Sequence, residues 1–129
     1  MISIRSLLVV GLLTAAQPAF AQDGPDIVQI FEQFVTSSAA ASKCVKPEQD
    51  TLNHFLANFQ MVTIYASQEL EKRYPQRTKE QIMSAMKMQS EAISQKVFEL
   101  VKQKGCDHTD IQEVVKRFHV QAKWQPLKK

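Results

Sequence analysis

The sequence predicts an all-α fold: a four-helix bundle built on a long, disulfide-clamped antiparallel helical hairpin. Three observations predict it. Apolar residues recur at steps of three and four along four separate stretches, the period of one helix face, and no stretch alternates with the period of two that a strand requires. Two breaks, Tyr74-Pro75-Gln76-Arg77-Thr78 and Gly105, punctuate that pattern. Two cysteines, Cys44 and Cys106, lie on either side of the first break, which falls roughly midway between them. If the chain folds back at Pro75, both sulfurs return to one end.

Residues 1–21 read as a secretory signal peptide and stand outside the fold. Arg5 supplies the positive start, and Leu7 to Leu13 form an apolar run too short to span a membrane. Ala19-Phe20-Ala21 has the small-x-small pattern of a cleavage site, so Gln22 is expected to open the exported chain. The style of this signal is bacterial, which makes the periplasm the expected destination and full secretion the alternative. No cysteine follows the cleavage site, which argues against a lipid anchor. Residues 22–129 are short enough to form a single domain with one core.

Helix one is expected over residues 25–41. Pro25 suits a first helical position because its missing N–H would be unpaired there, and Asp26 suits the positive helix end. Ile27, Ile30, Phe31, Phe34, Val35 and Ser38 share a face. The small residues from Ser37 to Ser42 either end this helix or let it pack closely. Helix two is expected to open at Pro47. Its stripe is Leu52, Phe55, Leu56, Phe59, Val62, Thr63, Ala66 and Leu70, and Pro75 stops it, since the residue before proline avoids helical geometry. Helix three opens with Thr78-Lys79-Glu80-Gln81, a capping box, and carries Ile82, Met83, Met86, Ile93, Val97, Leu100 and Val101. Gly105 supplies its stop. Helix four takes Asp107 or Thr109 as cap and turns Ile111, Val114, Val115, Phe118 and Ala122 to one side.

Helix two carries a second stripe, His54, Ala57, Met61, Ile64 and Tyr65, on the side opposite Phe59. Either helix one or helix four packs there, or the stripe is a homodimer face or a groove for a protein partner. A patch of Met, Tyr and His suits adaptable binding. His54, Met61, Ile64 and Tyr65 are the candidate interaction surface.

The remaining patterns exclude more than they assign. Two cysteines in an exported chain imply a disulfide between Cys44 and Cys106, worth about 4 kcal/mol in the loop-entropy model. They form no Cys-x-x-Cys redox pair and no haem-attachment motif. Met83, Met86 and Met88 have a soft-metal look, but Met88 points away from the other two on a helix, so the three sulfurs cannot converge on one ion. His54, His108 and His119 have no His-x-x-x-His or Glu-x-x-His spacing. No Gly-x-Ser-x-Gly elbow or glycine-rich phosphate loop exists. Trp124 reads as a packing anchor over helix four. No cofactor or metal and no enzymatic activity is expected.

Without Arg5 the chain holds 15 basic and 13 acidic residues, too balanced to imply nucleic acid. The charge is uneven: residues 22–50 carry net −3 and residues 111–129 net +4, from Lys116, Arg117, Lys123, Lys128 and Lys129 against Glu113. The two ends either attract each other weakly or leave a basic C-terminus that touches acidic lipid.

In size, export, all-helical character and a single long-range disulfide, the exported chain resembles the small periplasmic acid-stress chaperones. The resemblance is one of architecture: the span between the cysteines and the central hairpin are longer here, and no site residue is carried over. It implies a chaperone-like or accessory protein that acts by protein–protein contact. The alternatives are a carrier of an apolar ligand within the bundle and a secreted inhibitor or effector.

Overall fold

The computed structural model describes residues 26–125, and these form four α-helices with no strand among them. The signal-peptide segment, residues 22–25 with the expected chain start at Gln22 and helix start at Pro25, and residues 126–129 lie outside the described residues.

Helix α1 runs Ile27–Cys44. Asp26 is its N-cap, its carboxylate accepting the Val28 N–H at 3.1 Å. The helix continues three residues past the expected end: Ala39, Ala40 and Ala41 are strong helix formers, and with Ser37 they are buried against the other helices. It stops three residues before Pro47, which lies in the connector. Helix α2, Gln49–Arg73, therefore starts later than expected, with Glu48 as an N-cap that makes no side-chain capping bond. Asp50 in its first turn and Lys72 and Arg73 in its last match the helix dipole. Helix α3, Lys79–Lys104, has the capping box in full: the Gln81 N–H donates to the Thr78 hydroxyl at 3.1 Å, and the Thr78 N–H donates to the Gln81 side chain at 2.9 Å. Gly105 ends it with φ at +86°, a conformation that costs an L side chain and suits glycine. Helix α4 is Thr109–Lys123. Its cap is neither Asp107 nor Thr109 but His108, whose Nδ1 accepts the Asp110 N–H at 3.1 Å.

Named contacts fix the helix directions. Arg73 at the end of α2 pairs with Asp26 at the start of α1, at 2.8 Å. Cys44 at the end of α1 is bonded to Cys106 just after α3, with Cα atoms 5.5 Å apart. Ala39 and Ala40 cluster with Ile111 and Val115 near the start of α4, whereas Phe34 meets Trp124 at its end. α1 thus runs against α2 and α4 and alongside α3.

Cys44 is the last residue of α1 rather than part of a lead into α2. The disulfide consequently ties α1 to the α3–α4 turn. α1 is the organising helix: it packs extensively on all three others, while α2 and α3 pack on each other far less. Its Phe34, 1% exposed, centres an aromatic cluster with Phe55, Phe59 and Trp124 at ring distances of 5.3, 5.7 and 6.1 Å. Phe118 joins through Phe55 at 4.4 Å. Toward the disulfide the core changes character. Ala39 and Ala40 let Val97 of α3 and Ile111 and Val115 of α4 approach the α1 backbone.

Several residues expected in the core stand elsewhere. Leu56, Met83 and Leu100 are exposed, and Phe59 is only half-buried. On α1 it is Ser37, not Ser38, that is fully buried, and its hydroxyl bonds the Gln121 side chain and the Phe34 carbonyl.

Candidate contact surface

α2 has two apolar faces because it lies at the edge of the bundle. Its inner face puts Phe55, Val62 and Ala66 into the core. At about 100° per residue, His54, Ala57, Met61 and Tyr65 gather on the opposite side, with Ile64 at their margin. Neither α1 nor α4 covers that side. Ile64 is 49% and Tyr65 47% exposed, His54 and Ala57 are exposed, and Met61 is half-buried. Ala57, Gln60, Met61, Ile64, Tyr65 and Gln68 line a shallow depression of about 340 Å³. All four candidate interaction residues therefore lie together on one solvent-facing surface, with apolar atoms flanked by amides and an imidazole. Such a surface can bury thioether, aliphatic and aromatic groups against a partner while its polar rim stays hydrated.

Two other apolar features compete with it. Ser38, Ala41, Val45, Leu52, Phe55 and Phe118 line a groove of about 210 Å³ between α1, the α1–α2 connector, α2 and α4, with Leu56 at its lip. At the α2–α3 turn, Tyr74, Met83 and Met88 are exposed, and the Arg77 guanidinium lies 5.4 Å from the Tyr74 ring centre.

The other singled-out side chains are scattered. His54 is on the outer face of α2, His108 caps α4, and His119 sits edge-on to Phe118 at 5.3 Å. Met86 is buried while Met88 is 68% exposed, so the methionines point apart; Met83, expected beside Met86 in the core, is at the surface. Among the described residues no three His, Cys, Asp or Glu side chains gather as a metal site, and no helix is long and apolar enough to cross a membrane. Both cysteines are in the disulfide. Lys116, Arg117 and Lys123 are exposed on α4, and the last two lysines lie outside the described residues. The hydrogen bond from Arg73 holds the Asp26 carboxyl below its ordinary pKa, and that from Lys104 does the same for Asp110.

Sequence reasoning missed one polar arrangement. The Asn58 amide donates to the Gln121 and Trp124 carbonyls, both at 2.8 Å, and so satisfies the end of α4. Together with the Ser37–Gln121 bond it stitches α1, α2 and α4. The only signal was Gln121 standing beside Phe118 and Ala122 on the inward side of α4.

The site and the fold define a class, a small disulfide-linked helical bundle with an uncovered, partly apolar face on α2. No known protein family, curated protein or solved structure matches the chain.

Proposed function

We propose that this is an exported, periplasmic protein that acts by protein–protein contact, as a chaperone-like or accessory factor, through the outer face of α2. One observation carries the reading: His54, Met61, Ile64 and Tyr65 form a contiguous, partly apolar surface that the bundle does not use. Contiguous exposed apolar surface on a small protein marks an interaction site more often than scattered single residues do. Export is supported by the charged start, apolar run and Ala19–Ala21 pattern, and by a disulfide that an oxidising compartment sustains.

The groove behind Leu56 favours a second reading, a carrier of an apolar ligand. Its 210 Å³ is below the usual range for enclosing a drug-sized molecule. The contact reading is therefore preferred.

Suppression of citrate synthase aggregation on heating tests it. The wild-type protein should reduce light scattering at near-stoichiometric amounts. Met61→Glu should lose that effect while keeping its melting temperature, because a carboxylate entering a dry contact is left unpaired. Equal protection by wild type and Met61→Glu, or none by either, contradicts the proposal.

A further inference from the structure

We infer that the outer face of α2 is covered by the same face of a second copy of this chain, packed antiparallel about a two-fold axis at Met61. This rests on the reading of that face as a contact surface, and it names the occupant.

The ground is a symmetry of side-chain types about Met61. Asp50 lies eleven residues before it and Lys72 eleven after; His54 lies seven before and Gln68 seven after; Ala57 lies four before and Tyr65 four after. Steps of four, seven and eleven each return to nearly the same side of a helix. All seven residues therefore fall within an arc of about 80° centred on Met61. Six of the seven are exposed and Met61 is half-buried, so the bundle leaves the whole arc uncovered.

A two-fold axis through Met61, perpendicular to both helices, sets each residue level with the one equally far on the other side. Met61 then meets Met61 of the second copy, the large Tyr65 meets the small Ala57, and His54 meets the Gln68 amide. Asp50 meets Lys72, and neither of them joins an ion pair among the described residues. The members of each pair lie on opposite sides of the midline of the arc, so they stand side by side instead of colliding end to end. A parallel pairing would set Asp50 against Asp50 and Lys72 against Lys72, and it would leave Tyr65 facing Tyr65. The face is thus complementary to itself in one direction and repulsive in the other, as an isologous interface requires. The ion pairs at the two ends select register more than they add affinity. From Asp50 to Lys72 the helix is about 33 Å long, which gives an interface at the small end of specific ones. The dimer exchanges with monomer, masking the stripe when concentrated and freeing it when dilute.

Sedimentation velocity on the exported, oxidised protein tests this, over a concentration series reaching about 1 mM. The wild type should pass from monomer to dimer, and Met61→Glu should weaken that association by about 100-fold or more, because two carboxylates would meet at the axis. Asp50→Lys and Lys72→Asp should each weaken it, and the double reversal should restore it, since every end-to-end pair is again opposite in sign. A wild-type protein that stays monomeric overturns the inference. A dimer indifferent to Met61→Glu overturns it as well. Single reversals without effect, or a double reversal that fails to restore association, overturn the antiparallel register. A strict monomer that still loses client protection on Met61→Glu overturns the dimer while leaving the contact-surface reading intact.

Discussion

α1 and α3 make an instructive contrast. α1 has 18 residues and buries seven of them, whereas α3 has 26 and buries only Ile82, Met86 and Val97. The longer helix is the one with the stronger local signals, a complete capping box and a glycine stop. It is nevertheless peripheral, held by a seam to α1 and by the disulfide beyond its end. α1 has weak local signals in its second half, where Ser37 to Ala41 offer little hydrophobic contrast. It is central because those small residues let all three other helices pack closely on it. Local propensity decides that a helix forms, while side-chain size and position in the bundle decide what it buries. The outer face of α2 is free for the same reason: α1 occupies the middle, and no other described helix covers the far side.

The contrast is sharpest at single residues. Phe34→Ala should cost about 3–5 kcal/mol through an unfilled core cavity, lowering the melting temperature by about 15 °C or more. Met88→Ala on α3 should leave it unchanged within error. Similar losses at both positions in thermal unfolding would break the assignment of α1 as the centre.

The disulfide probes the attachment of α3. Cys44→Ser and Cys106→Ser should each cost about 2–5 kcal/mol, and the double variant little more, since the same bond is lost in each case. Denaturant titration checks the size of the loss, and intact mass checks that the exported protein begins at Gln22 and has no free thiol. Additive losses would mean that the two sulfurs act separately.

The elements of this contrast were legible in the sequence but its sense was not: the pattern put helices two and three at the centre as a disulfide-clamped hairpin, whereas α1 holds the middle and carries Cys44. The four helices, the Thr78–Gln81 box, the Gly105 stop and the cysteine pairing follow from periodicity, capping chemistry and the parity of cysteines. The outer stripe of α2 was legible as a second apolar face, but whether a neighbour covered it was not, because periodicity within one helix is silent on what lies beside it. The exposure of Leu56, Met83 and Leu100 was hidden for the same reason. The extension of α1 to Cys44 was hidden by alanine, which fits a helix interior and a tight contact equally well. Pro47 was misleading: proline suits a first helical position, but here it belongs to the connector, and Glu48 caps the helix. The Ser37–Gln121 and Asn58 bonds were invisible because polar residues near a core stripe reveal no partner until the helices are docked.

Asn58→Ala tests the stitching of α1, α2 and α4. It removes the donor to two α4 carbonyls and should cost about 1–2 kcal/mol, measurable by denaturant titration. A loss as large as that of Phe34→Ala would move the centre of the bundle from α1 toward the α2–α4 contact.

The smallest effect belongs to the surface strap between Asp26 and Arg73. Because Arg73 lowers the Asp26 pKa, the contribution of this pair is fully present above about pH 4, the unfolded value for Asp, and is lost as pH falls through the depressed folded value. Arg73→Met should therefore lower stability slightly and evenly above about pH 4, with the loss fading as pH falls and the acid limb flattening. A marked loss at neutral pH would show the α1 start to depend on this strap more than its exposure allows.

The central claim is that the bundle closes without the outer face of α2. The melting temperature of Met61→Glu, taken at a concentration too low for self-association, tests it most directly. A value within about 3 °C of wild type is predicted, as for a surface substitution. A fall comparable to that of Phe34→Ala would contradict it, placing Met61 in the core and leaving the protein without its proposed contact surface.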